Sequence, residues 1–290
     1  MLTERRGRIA GILFVALSGV GFASATVMVK LAFREGASLG TLVLLRLGVG
    51  MLVLGGFALL RGIRVRVPAG RWPAIWLMGA LSSAVGLLLF GAAERIPAST
   101  TTLILYAYPA LVAGLSVALR RDRLNALKAA ALVVGLTGVL LVLRAPVERL
   151  DLLGTGLALG ASVALALYVL ASQRGAAGMD PAAAGTLILA TATALYLPVA
   201  VAMEGVDLLS VPEGWEWGVL VGVATGGGIA LFLAGLARLG PIRASIGQTV
   251  EPVAAVVLGA IVLAETLTGV QLVGAALVVA AVGILPLSRS

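Results

Sequence analysis

Ten apolar stretches, at 9–29, 39–60, 72–93, 98–119, 124–143, 152–172, 182–203, 215–236, 242–262 and 267–287, follow one another along this chain of 290 residues. Hydrocarbon offers no water to backbone N–H and C=O groups, so a stretch of this kind must satisfy them internally and becomes a helix. Each stretch is long enough to cross about 30 Å of bilayer core at about 1.5 Å per residue, allowing for tilt. Only 12% of the residues are charged, against roughly a quarter in soluble domains, and the connections are short. The expected fold is an all-α integral membrane bundle of ten transmembrane helices. Arg5, Arg6 and Arg8 before the first stretch, with Ala23-Ser24-Ala25 near its end, outline a signal peptide. The internal repeat described next needs that segment as its first helix, so it is taken as a span.

The basic residues set the direction of the spans. Fifteen Lys and Arg residues fall on the side that holds both termini, in groups such as Arg61, Arg64, Arg66, Arg71 and Arg120, Arg121, Arg123, Lys128. Five fall on the other side, and Arg46 lies inside a span. Short cytoplasmic loops carry the positive excess, so both termini are expected in the cytoplasm. The net charge of +8 then reports topology and not a nucleic-acid partner.

The chain also repeats itself. Gly86-Leu-Leu-Leu-Phe-Gly-Ala-Ala-Glu-Arg95 resembles Gly228-Ile-Ala-Leu-Phe-Leu-Ala-Gly-Leu-Ala-Arg238, and Pro109 pairs with Pro252, Asp122 with Glu265, and Gly40-Thr41-Leu42 with Gly185-Thr186-Leu187. The copies are 1–147 and 148–290, five helices each. Five is odd, so the second copy enters from the opposite face. Inverted repeats with interrupted helices at matching positions mark secondary transporters, with the substrate held near the midplane between the halves. A central cavity is therefore expected.

Arg46 and Glu251 are the two charged residues clearly within spans. Each would cost at least about 2.5 kcal/mol near the bilayer centre without compensation. They are expected either to hold the carboxylate and ammonium of a zwitterion or to pair with each other, as a gate lock or a purely structural contact. Ser245, Gln248, Thr249 and Pro252 share one face of a continuous helix, with Glu251 beside it. The matching positions of the first copy hold Thr102, Leu105, Tyr106 and Pro109, with Tyr108 matching Glu251. These polar faces should line the interior, Tyr106, Tyr108 and Tyr168 are candidates for an apolar or aromatic substrate side chain, and Pro109 and Pro252 are candidate hinges. The expected substrate-binding set is thus Arg46, Thr102, Tyr106, Tyr108, Tyr168, Ser245, Gln248, Thr249 and Glu251. Gly226-Gly227-Gly228 and Gly48, Gly50, Gly55 and Gly56 are expected at close helix crossings. Trp72, Trp76, Trp215 and Trp217 suit the interfacial belt. Thr268 with Gln271, and Asn125 with Lys128, have helix-capping spacing, and Glu265 reads as a loop organiser.

The chain has no His and no Cys, which removes the usual general base and metal ligands. No Asp lies within a span and no Walker motif is present. An enzyme or an ATP-driven pump is not expected, nor any metal or cofactor; the partners are a small molecule and the bilayer, with a monomer sufficient.

Two five-helix repeats, a proline inside the fourth helix of each, and the closing run Glu265-Thr-Leu-Thr-Gly-Val-Gln-Leu-Val-Gly274 resemble the drug/metabolite transporter superfamily in its ten-helix EamA-type branch. Ala264 stands where that branch's end motif usually has Gly. The resemblance implies a basket of helices around a central cavity, export of small metabolites and alternating access. The nearest type is the YddG-like exporters of aromatic and other amino acids. A lipid-carrier flippase or drug exporter of the same fold is the alternative. The Ala, Gly and Arg bias fits a GC-rich bacterium, which places the chain in a bacterial inner membrane.

Overall fold

A computed structural model of the chain describes residues 2–93, 95–96, 98–143, 151–204, 214–262 and 267–285. All regular structure among them is helical. The helices are α1 (Leu2–Arg34), α2 (Leu39–Leu60), α3 (Trp72–Ala93), α4 (Ala98–Leu105), α5 (Tyr108–Ala118), α6 (Ala126–Leu143), α7 (Leu152–Gly175), α8 (Pro181–Glu204), α9 (Trp215–Leu239), α10 (Pro241–Gly247), α11 (Val250–Val262) and α12 (Gly269–Ile284). Taking α4 with α5 and α10 with α11, nine spans among the described residues are long and apolar enough to cross a membrane, and α12 adds a shorter apolar helix of 16 residues. The second and third spans have the bounds expected from sequence, 39–60 and 72–93. The outward surface is apolar, with Leu60 90% and Ile261 74% exposed, as lipid contact requires.

Local chemistry starts several helices where the sequence placed them. Ser38 caps α2 by accepting from the Thr41 N–H, and Asp151 caps α7 by accepting from the Gly154 N–H at 2.6 Å. Thr268 and Gln271 form a full capping box at the start of α12, and Asn125 accepts from the Lys128 N–H at 2.9 Å. Ala264 and Glu265 of the closing run lie outside the described residues. The Trp72, Trp76 and Trp215 rings are largely exposed, and the Trp217 indole N–H donates to Glu35 at 3.0 Å.

Nearly every strong helix pairing joins one helix of the first half to one of the second. α1 packs on α9 and α11, α2 on α8 and α9, α3 on α7 and α8, α4 and α5 on α7, α5 on α10, and α6 on α12. Exchanging the first five spans for the last five leaves this set of partners unchanged. The halves are interleaved and are not two adjoining lobes.

Glycine sets the closest of these crossings. A Cβ on Gly138 would lie 2.7 Å from the Gly274 carbonyl oxygen, and one on Gly274 2.7 Å from the Gly138 carbonyl oxygen, so α6 and α12 touch backbone to backbone. Gly50 and Gly226 do the same for α2 and α9, at 3.1 Å from the Gly222 carbonyl oxygen and 3.0 Å from that of Gly50. Gly228 meets the Phe22 ring. Gly226 and Gly228 are therefore at a crossing, as expected, while nothing lies within 4 Å of a Cβ at Gly227. Gly48 and Gly56 depart from expectation: nothing lies within 4 Å of a Cβ at either, because each faces away from the crossing that Gly50 makes.

Candidate functional site

The two proline-bearing spans are broken outright, not bent. α4 ends at Leu105 and α5 begins at Tyr108; α10 ends at Gly247 and α11 begins at Val250. In each break the backbone tightens in the same way. The Ala107 N–H turns to the Ile104 carbonyl, and the Thr249 N–H to the Ile246 carbonyl, both at 3.1 Å. Pro109 and Pro252 sit in the first turn of the helix after the break, where a missing N–H costs nothing.

Tightening takes the Ser245 carbonyl away from its usual partner, the Thr249 N–H. Tyrosines from the other half supply donors here. The Tyr108 hydroxyl donates to the Ser245 carbonyl and the Tyr106 hydroxyl to the Gln248 carbonyl, each at 3.4 Å and buried. The Tyr106 and Tyr108 rings lie 5.9 Å apart. The first break thus seals the second.

Glu251 stands one residue into α11, with its backbone against Gly19 of α1. Its carboxyl faces the Tyr106 hydroxyl and lies within electrostatic reach of Arg46 on α2. Arg46 in turn lies within reach of Tyr168 on α7. No ion pair within 4.0 Å joins Arg46 to Glu251, and the Arg46 Nε has no hydrogen-bond partner. Both charged residues are half-buried. The structure therefore brings Arg46, Tyr106, Tyr168 and Glu251, from four spans, around one point, with opposite charges that face but do not meet.

The other expected residues are placed differently. The Ser245 and Thr249 hydroxyls donate to the Ile242 and Ile246 carbonyls of their own chain at 2.9 and 2.7 Å. The break at Gln248–Thr249 separates residues that a continuous helix would have aligned, and Thr249 packs toward Gly135 of α6. Thr102 is half-buried on α4 and already partnered. Gln248 donates from its amide to Ser18 on α1 at 3.3 Å, and the Ser18 hydroxyl donates to the Gly228 carbonyl at 2.8 Å, while the Gln248 amide oxygen is unpartnered. Ser18 escaped the sequence argument; Ser24 and Thr26 of the same helix bond back to the Val20 and Phe22 carbonyls, and only the partners across the bundle set Ser18 apart.

Two recesses lie away from this group, one among α6, α11 and α12 and one among the ends of α7, α8 and α9. Near the second, Arg121 donates to the Leu170 carbonyl at 2.8 Å. Partial burial and the neighbouring Arg174 lower the affinity of its guanidinium for its proton. Among the described residues no three His, Cys, Asp or Glu side chains gather to hold a metal ion.

A profile of the EamA-like transporter family matches residues 9–144 and again residues 152–286. The threonine/homoserine exporter RhtA of Escherichia coli K12 is 30% identical over 245 residues, covering 82% of this chain and 78% of its own length. RhtA of Salmonella typhimurium LT2 gives the same figures. A solved crystal structure at 21% identity superposes with a TM-score of 0.81 over 96% of both chains, so the fold is shared with it.

Proposed function

The chain belongs to the EamA-like transporter family, and we propose that it exports small amphipathic metabolites, amino acids first among them, across a bacterial inner membrane. The observation that carries this reading is the pair of opposite charges, Arg46 and Glu251, facing each other inside the bundle without contact. A zwitterion completes that arrangement: its carboxylate takes the Arg46 guanidinium, which forms charge-assisted bonds, and its ammonium takes Glu251. Tyr106 and Tyr168 border the same point and would contact the side chain. The RhtA relatives, by name exporters of threonine and homoserine, support small hydroxylated amino acids; the tyrosines extend the candidates to aromatic ones.

Alternating access is the mechanism we assign. The exchange symmetry of the helix partners supports two antiparallel halves with both termini in the cytoplasm, as the basic loops require. Because the halves interleave, the bodies that rock are mixed. One is α1, α2, α9, α10 and α11; the other is α3, α4, α5, α7 and α8. The breaks ahead of Pro109 and Pro252 are the bend points, where tighter turns interrupt the regular helical ladder.

The test is uptake of radiolabelled L-threonine, L-homoserine, L-phenylalanine and L-tyrosine into proteoliposomes. Saturable uptake that Arg46→Ala abolishes and Arg46→Lys partly restores, with both variants folded, is the expected outcome. Full activity in Arg46→Ala would overturn the site.

A further inference from the structure

The two rocking bodies are not joined alike at their two ends. α5 packs on α10, α10 on α7, and α9 on both α7 and α8. Exchanging the halves turns these pairs into α4 with α11, α4 with α1, α3 with α1 and α3 with α2. None of those makes comparable contact among the described residues. Each of the unmatched contacts joins one body to the other. They gather at the end where α1 starts: Gly11 meets Leu239 at the close of α9, α10 follows directly, and the ends of α7, α8 and α9 share one recess.

Packing at that end is complete. All seven residues of α10 are buried, and Ile242 and Ile246 cluster with Ala113 of α5, each at most 2% exposed. Beyond α5, Asp122 extends the closure to the α9–α10 junction. Its carboxylate would lie 3.6 Å from a Cβ on Gly240, and the buried Lys128 holds it at 2.6 Å. At the opposite end the matched residues, Val256 for Ala113 and Leu103 for Ile246, are half-buried.

The sequence gives a chemical reason for the difference. The Tyr108 hydroxyl reaches from α5 to the Ser245 carbonyl of α10. Its match in the second half is Glu251, and a carboxylate accepts hydrogen bonds but cannot donate one to a carbonyl. Thr249, the match of Tyr106, turns its hydroxyl to the Ile246 carbonyl of its own chain. Neither matched position can fasten α11 to α4 as Tyr108 fastens α5 to α10.

We propose that the protein rests closed toward the cytoplasm, with α5 against α10 as an inner gate latched by the hydrogen bond from Tyr108 to Ser245, and parted toward the outside between α4 and α11. Substrate from the cytoplasm then meets the gate before it meets Arg46 and Glu251. Its apparent affinity from that side is reduced by the fraction of molecules whose gate is open. The proposal rests on the alternating-access reading and on the cytoplasmic placement of both termini.

The chain has no cysteine, so Ala113→Cys in the inner gate, Leu103→Cys at the outer cleft and Arg64→Cys in the exposed α2–α3 connection each give a single thiol. A charged, membrane-impermeant maleimide is applied to inverted and to right-side-out membrane vesicles, and each rate is referred to that of the same protein unfolded in detergent. No substrate is needed. Arg64→Cys should react in inverted vesicles, Leu103→Cys in right-side-out ones, and Ala113→Cys slowly and in inverted vesicles only. Adding Tyr108→Phe should raise the Ala113→Cys rate about threefold, the population shift that one hydrogen bond of average strength in a membrane protein supports, and lower the Leu103→Cys rate. A general loosening of the fold would raise both. With Arg64→Cys as expected, an Ala113→Cys rate above that of Leu103→Cys, or rates that Tyr108→Phe leaves unchanged or raises together, overturns the gate and leaves the transport function standing. Arg64→Cys reacting in right-side-out vesicles alone overturns the orientation of the termini and the proposal with it.

Discussion

Replacing Arg46 by leucine separates a transport role from a structural one, because its partner charge can be removed independently. Arg46 and Glu251 interact across a gap wider than 4.0 Å. Their mutual attraction is therefore below about 4 kcal/mol, the Coulomb value at 4 Å with an effective dielectric of about 20. Arg46→Leu leaves the Glu251 carboxyl buried without its counter-charge, so the protein should unfold more readily, by an amount within that bound. Arg46→Leu/Glu251→Leu removes both charges and should recover most of the lost stability. Transport should behave in the opposite way. A charge-assisted hydrogen bond to a substrate carboxylate contributes about 1.5–3 kcal/mol, or roughly 10- to 150-fold in half-saturating concentration at about 1.4 kcal/mol per tenfold. The double variant should be at least as defective as either single one. Thermal unfolding in detergent, followed by circular dichroism, and proteoliposome uptake on the same preparations give both quantities. A double variant that regains stability and transport together would show that the two charges serve packing only, and the site argument would fail.

Three further outcomes follow from particular contacts. Gly138→Ala should destabilise the fold by about 1–3 kcal/mol, because its Cβ would lie 2.7 Å from a backbone oxygen that cannot move without parting α6 from α12; Gly48→Ala, with open space around it, is the control and should unfold as the parent does. Tyr106→Phe and Tyr108→Phe each remove one hydroxyl from a buried carbonyl and should cost about 0.5–1.5 kcal/mol apiece. Hydrogen exchange at Gln248–Glu251 should rise in both, and unchanged exchange would remove the sealing role of the tyrosines. Glu251→Gln keeps the shape of the side chain and removes its titration, so if transport is driven by protons through this group, accumulation under a pH gradient should cease while equilibrative exchange continues; accumulation at the parental rate would exclude Glu251 as the coupling site.

The spans were legible because lipid imposes a single rule on them: length, apolarity and the polar caps at Thr268 and Asn125 left little else for those residues to do. The central charges were legible for the same reason, since an arginine and a glutamate inside hydrocarbon stand out. The polar face around Ser245 and Thr249 is interior, as its composition required, but the projection assumed that the helix continued through Gln248 and so missed that both hydroxyls turn to their own chain. Proline signals that an N–H is missing, but where the chain breaks depends on donors elsewhere, and here Tyr106 and Tyr108 come from the opposite half. Gly48 and Gly56 looked like packing glycines only because they lie close to Gly50 in the chain; at two and six residues from it they point to other faces of α2.

The interleaving of the halves bears on how the protein comes to exist. α1 packs mainly on α9, which begins at Trp215, some 180 residues after α1 ends at Arg34. At about 5–20 residues per second, the ribosome delivers that partner roughly ten to forty seconds later. During that time Ser18, Arg46 and the glycine-lined crossings have lipid or the insertion machinery for neighbours in place of their final ones. α1 must therefore persist as a separate helix in the bilayer until its main partner arrives, and a ribosome that stalls before α9 leaves α3, α4, α5, α7 and α8 able to pack on one another while α1 stands without the helix it packs on most.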